Sequence, residues 1–274
     1  MMIPKPVFLL LIFLNISLAW EYCQADIENK LCGTGKTHLI CDAKNSIDNP
    51  SYISKKFLAH VPLTRKVKRA FINWHNYYRN RTAGGWAKNS LNKIFFPMAV
   101  RMRELIWDSE LSYLSHFRSK LVNAGEATCS STLRFPKVAQ NLEVTVLNEP
   151  KPVLEIIFLA LRKMFDEKNN IENPTEMPKE FVEDHEVAKQ FTTIINDQVS
   201  RVGCAVALGA DCLDSNEISF KYCYYTVCTY DFDMGGIIYK VGKPTGRCSR
   251  WGVGRSKTYI NLCANSGEIF AEEN

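Results

Sequence analysis

Ten cysteines constrain this chain more than any other feature: Cys23, Cys32, Cys41, Cys129, Cys204, Cys212, Cys223, Cys228, Cys248 and Cys263. All of them lie beyond a leader, MMIPKPVFLLLIFLNISLA, with one early lysine, an apolar run from Val7 to Leu14, and small Ser17 and Ala19 ahead of a cleavage point. That pattern predicts a secretory signal peptide over 1–19, and the apolar run, interrupted by Asn15, is too short to anchor the chain in a bilayer. An even number of cysteines in a secreted chain predicts five disulfides. No histidine stands at finger spacing to them, which argues against a structural zinc site.

Without its leader the 274-residue chain is long enough to bury a core without staples. Its net charge of +5 falls to +4 with the loss of Lys5, a balance that implies solubility rather than a nucleic-acid partner. One local exception is Lys240, Lys243, Arg247, Arg250, Arg255 and Lys257, with no acid among them until Glu268. Such a run reads first as a solvated basic face and second as a contact for anionic glycans or lipid headgroups.

Residues 20–62 are polar, hold three cysteines and show no sustained periodicity, so an irregular, disulfide-pinned segment is expected. Periodicity begins at Thr64, which can cap a helix with Val67, Ala70, Phe71, Trp74 and Tyr78 on one face, ending at Gly84 and Gly85. Asp108 can cap a second helix with Leu111, Leu114 and Leu121 inward, and a third from about Pro152 carries Ile156, Ile157, Ala160, Leu161 and Met164. A fourth would hold Val187, Phe191, Ile194 and Ile195. VGCAVAL at 202–208 and FKYCYYTVCTYDF at 220–232 read as an antiparallel strand pair, and Cys212 with Cys223 could clamp the loop between them. Helices followed by short strands predict an α+β domain over 63–240, with a short disulfide-tied tail over 241–274.

Chemistry is sparse. His38, His60, His75, His116 and His185 form no helical metal pair, and no HExxH, GxSxG or phosphate-binding loop occurs. His75 beside Trp74 reads as a packing residue, His185 in EDHE as a solvated one, and every cysteine is better used in a bridge than as a nucleophile. These residues by themselves describe a secreted, disulfide-bonded protein that is not an enzyme.

Several stretches taken in order resemble one family. WHNYYRNRTAGG resembles an HNxxR signature, MRELIWDSELSYLS an MxxLxWDxxLA element, AQNLEV a GENL or GQNL turn, and MFDE a WxxE helix; VGCAV and VCTYDF resemble VGC and VCNY strands. Over roughly residues 20–240 the chain thus resembles the CAP superfamily of cysteine-rich secretory proteins, antigen 5 and plant pathogenesis-related proteins. Cys23, Cys32 and THLIC are most like the insect antigen 5 branch. The resemblance implies an α-β-α sandwich with a small antiparallel sheet, and bridges Cys23–Cys41, Cys32–Cys129 and Cys204–Cys228. Cys212–Cys223 and Cys248–Cys263 follow by proximity.

Members of that superfamily often place two histidines and two acids in a metal-holding cleft. The matching positions here are Glu126 in GEATC, Gln140 in AQNL, Glu167 in MFDE and Gln190 in KQFTT where the family has GHYTQ. Two carboxylates and two amides lack the imidazoles that zinc or copper prefers, so no metal, no cofactor and no catalytic residue is expected. The reading that follows is a monomeric, non-enzymatic extracellular protein that binds another protein, a glycan or a lipid. A lipid or sterol carrier using a groove between helices is the alternative, and a hydrolase is less favoured. Asn80 in NRT is the acceptable glycosylation sequon of the mature chain, since Pro174 blocks NPT.

Overall fold

The structure, a computed structural model, describes residues 22–45, 54–120, 128–179, 187–213, 218–233 and 236–268. The leader over 1–19, Leu121, Glu126 and His185 therefore lie outside the described residues. In chain order come α1 (Ala25–Cys32), β1 (Thr37–His38), α2 (Leu39–Asn45), β2 (Ser54–His60), α3 (Arg65–Ala83), β3 (Ile106–Trp107) and α4 (Ser109–Arg118). They are followed by β4 (Thr128–Cys129), β5 (Ala139–Leu147), α5 (Val153–Asp166), α6 (Lys189–Ile195), β6 (Arg201–Leu213) and β7 (Ser219–Tyr230).

Local chemistry sets the helix starts. The Thr64 hydroxyl accepts from Val67 N at 3.3 Å, and the Asp108 carboxylate accepts from Glu110 N and Leu111 N at 2.9 and 3.2 Å, so each cap satisfies N–H groups that the first turn leaves without a partner. Pro152, with its fixed φ and no N–H to lose, precedes α5.

β6 and β7 form the antiparallel centre of a five-stranded sheet. β5 pairs with β7 from Ala139↔Tyr230 to Leu147↔Tyr222, β2 lies antiparallel on the far edge of β6, and the short β3 runs parallel to β6. Side chains alternate across a strand. Thr229 bonds Ser115 of α4 on one face, whereas Tyr230 bonds His75 of α3 on the other. Helices therefore cover both faces, α4 on one and α3, α5 and α6 on the other, an α-β-α sandwich. The main core lies on the α3 side, where Phe71, Ile156, Ile157, Leu161, Phe191 and Tyr230 are fully buried.

Gly203 fixes the spacing on the α4 side. A Cβ there would meet Ser112 N at 2.0 Å and Asp108 O at 2.5 Å, both backbone atoms that cannot swing aside. With glycine present, Ser112 Oγ donates to Cys204 O and Ser115 Oγ to Gly203 O.

Residues 20–62 depart from the irregular segment expected. They hold α1, β1, α2 and β2; β1 pairs with β4, and β2 extends the central sheet. Tyr22, Ile40 and Cys41 form a second apolar cluster with Leu111 and Leu114 on the outer side of α4. These elements are too short to show a period and are stabilised by distant partners. α6 also begins later than the stripe suggested: Val187 precedes it and is exposed.

Five disulfides are present, Cys23–Cys41, Cys32–Cys129, Cys204–Cys228, Cys212–Cys223 and Cys248–Cys263, and no described cysteine is free. The C-terminal tail is tied to the body by more than its bridge. Lys240 and Gly242 exchange backbone bonds with Val100 and Met98, Cys263 with Met102 and Glu104, and the buried Trp251 indole donates to Arg101 O at 2.7 Å. No helix among the described residues is long and apolar enough to cross a membrane.

Candidate functional site

The HNxxR residues of α3, at positions i, i+1 and i+4, put three polar side chains into the core. Each is fully or almost fully buried, and each is bonded. Asn76 Nδ2 donates to Leu105 O and its Oδ1 accepts from Leu105 N, so the amide pairs with the main chain as a neighbouring strand would. Arg79 donates to the carbonyls of Arg103, Ile194, Asn196 and Val199 at 2.7–3.1 Å. Burial lowers its pKa to about 9, and the four carbonyls keep the cation solvated inside the protein.

His75 Nδ1 lies 2.8 Å from Phe71 O, which can only accept, so Nδ1 carries the proton. Nε2 is then the acceptor for the Tyr230 hydroxyl at 2.9 Å, and that hydroxyl in turn takes a bond from Asn141 Nδ2 at 3.3 Å. Burial pushes the imidazole down to about 4, so it is neutral at physiological pH. His75 also neighbours the sulfurs of Cys204 and Cys228, but these are bonded to each other and offer no thiolate to a metal.

Next to this network lies the joint KQFTTIINDQVSRVGCAV. Glu167, at the end of α5, points its carboxylate at the first turn of α6. Oε2 accepts from Gln190 N at 2.8 Å and Phe191 N at 3.2 Å, while Oε1 accepts from Gln190 Nε2 at 2.8 Å. The acid therefore acts as a helix cap supplied from outside the helix, and its negative charge faces the positive end of the α6 dipole. Burial raises the Glu167 carboxyl above its ordinary range, against the pull of those three donors. Gln190 O accepts from Asn141 Nδ2, which joins the cap to the His75 network, and Gln190 Oε1 is buried without a partner.

The sequence placed four side chains in one cleft. Glu167 and Gln190 do meet. Gln140 sits on the other side of β5, where its amide donates to Thr229 Oγ1 at 3.0 Å and thence reaches Ser115 of α4. Its neighbour Asn141 is the residue that faces Gln190, because adjacent strand residues point to opposite faces. Glu126 lies outside the described residues. The sequence reading missed Glu143, two residues beyond Asn141 and on the same face, whose buried carboxylate pairs with Lys163 Nζ at 2.5 Å. Burial raises its pKa, and the charge of nearby Glu167 adds to the effect. The alternation Ala139, Asn141, Glu143 was the signal that would have found it.

Among the described residues, the Glu167 oxygens accept from three N–H groups, the Gln190 nitrogen is a donor, and the imidazole of His75 has both nitrogens bonded inside the core, a donor set unlike the one zinc prefers.

A serine and a histidine also meet elsewhere, with His60 Nε2 3.1 Å from Ser119 Oγ. Ser119 Oγ gives its proton to His116 O, so His60 must donate rather than accept in this pair. Burial and the His116 and Lys120 charges push the His60 imidazole down to about 3. It cannot serve as the base that would activate a serine nucleophile. Asn80 is half-buried: its Oδ1 accepts from Asn261 N, which docks the tail on the end of α3.

Comparison with known proteins agrees with this architecture. A family model described as "Cysteine-rich secretory protein family" matches residues 72–230. Venom allergen-1 of Aedes albopictus is 26% identical over 268 residues, covering 92% of this chain and 90% of that protein. Antigen 5 like allergen Cul n 1 of Culicoides nubeculosus is 33% identical over 149 residues, 53% of this chain and 64% of that protein. Among solved structures, BmVAL-1 superposes with a TM-score of 0.57 at 17% identity, covering 74% of this chain and 96% of that one. The match over more than half the chain places this protein in the CAP family, the cysteine-rich secretory protein family.

Proposed function

We propose that the protein is secreted and acts outside the cell as a non-enzymatic binding protein, its surface rather than its cleft meeting a partner. The observation that carries this reading is the engagement of Glu167. The carboxylate that would ligate a metal or accept a proton caps α6 with one oxygen and accepts from the Gln190 side-chain amide with the other. The five bridges and the apolar leader support the extracellular setting. The carrier alternative draws less support, because Ile156, Ile157, Ala160, Leu161 and Met164 are buried in the core. Titration calorimetry of the secreted protein with zinc tests the reading. Affinity weaker than about micromolar is expected for a site without imidazole. Tighter binding that disappears in Glu167→Gln would overturn it.

A further inference from the structure

Beside the segment that follows Glu167 lies a surface on which two acid-free stretches of sequence meet. No aspartate or glutamate occurs between Asp48 and Glu104, nor between Asp233 and Glu268. The fold brings them together by pairing Ala99 with Val241, by the Val100 N to Lys240 O and Gly242 N to Met98 O bonds, and by docking Asn261 on Asn80.

The first stretch projects a small hairpin over 85–98, closed by the Lys88↔Phe95 bridge and by Lys93 in the left-handed region at φ 65°. Its backbone is fixed from within by asparagines. Asn89 Oδ1 accepts from Leu91 N and Asn92 N, Asn89 Nδ2 donates to Asn169 O and Ile171 O, and Asn92 Nδ2 donates to Glu172 O. A loop held this firmly could have tucked its apolar side chains inward, yet they face solvent. Leu91 is 76% exposed and Phe95 53%, with Trp86 and Met98 behind them and Val241 of the tail exposed next to Met98. Exposed apolar groups gathered on one rigid projection mark an interaction site.

Its rim is basic. Lys88 stands over the Phe95 ring at 5.1 Å, Lys93 lies on the tip, and Lys240 and Lys243 flank Val241, with exposed Arg247, Arg255 and Lys257 farther along the tail. We propose that this face is a membrane-docking surface, in which Leu91 and Phe95 enter the outer layer of a bilayer while the lysines and arginines meet anionic headgroups. Apolar tip and cationic rim are both used by such an occupant, the first by burial among acyl chains and the second by Coulomb attraction. A sulfated polysaccharide would use only the rim. This inference goes beyond the reading given above and does not depend on the cleft: zinc binding at Glu167 would overturn that reading and leave this surface unaltered.

Co-sedimentation of the full secreted chain with phosphatidylcholine vesicles, with and without about a quarter phosphatidylserine, tests the proposal at about 0.1 M and about 0.5 M salt. Retention on the anionic vesicles that weakens with salt is expected. The double variant Leu91→Asp with Phe95→Asp should lose at least about tenfold in affinity while its circular dichroism is unchanged, since both side chains are exposed. Lys240→Glu with Lys243→Glu should remove most of the salt dependence. Tryptophan quenching by brominated lipid should disappear in Trp86→Phe. No retention, retention unaltered by the Leu91 and Phe95 changes, or binding to heparin without binding to vesicles would each overturn the proposal.

Discussion

On one face of the sheet, α4 approaches β6 so closely that Ser112 and Ser115 bond the carbonyls of Cys204 and Gly203. On the other, α3 and α5 stand off behind Phe71, Ile157 and Tyr230, large side chains that fill the gap. Distance is thus set by backbone contact on the first face and by side-chain volume on the second. His75, Arg79, Asn141, Glu143 and Glu167 are found on the second face, whereas the first takes Gln140 beside Thr229 and Ser115.

The largest expected effect tests the tight face. Gly203→Ala should cost about 4 kcal/mol or prevent folding, because the new methyl meets backbone rather than a movable side chain. Urea unfolding of that variant beside Ile157→Ala, for which about 2 to 4 kcal/mol is expected, compares the faces directly. A milder loss for Gly203→Ala than for Ile157→Ala would break the comparison.

Next comes Arg79→Met, which leaves four buried carbonyls without their donor. A loss of about 3 kcal/mol in chemical denaturation is expected, and a neutral result would mean that volume alone holds this face.

His75 supplies a pH test of the same face. Its folded pKa of about 4 lies below the ordinary 6.5, so its contribution to stability is complete above pH 6.5 and is lost as the pH falls toward 4. The loss from this group approaches about 3 kcal/mol. Denaturation midpoints measured between pH 7 and 4 should fall accordingly, and a flat profile over that window would contradict the neutral tautomer assigned to His75.

The smallest effect sharpens the role of Glu167. Glu167→Ala removes a helix cap and should lower stability by about 1 kcal/mol, read from thermal unfolding. An unchanged midpoint would make the carboxylate a bystander to the fold and return it to consideration as a ligand.

Much of this was legible in the sequence where the signal is local. Thr64 and Asp108 announced their caps, the stripes of α3 and α5 their buried faces, and the β-branched runs around Cys204 and Cys228 the central hairpin. The polar side of the site was harder to read because its meaning depends on partners far along the chain. Nothing near Glu167 signals that it caps a helix 23 residues later, and nothing near Lys163 points to Glu143. The amide beside Gln190 is Asn141 and not Gln140, a distinction of one residue that only the strand's orientation decides. The order in residues 20–62 was hidden for a related reason, since β2 is a strand by virtue of β6.

The β6–β7 pair is bridged twice, by Cys204–Cys228 between directly opposed residues and by Cys212–Cys223 nearer the Leu213↔Ser219 end of the ladder. A protease that cut the chain between Leu213 and Ile218 would produce two fragments joined by both bonds and still paired along the whole ladder. The fold thus tolerates a loss of chain continuity between the two strands, and a nicked molecule keeps the surfaces of an intact one.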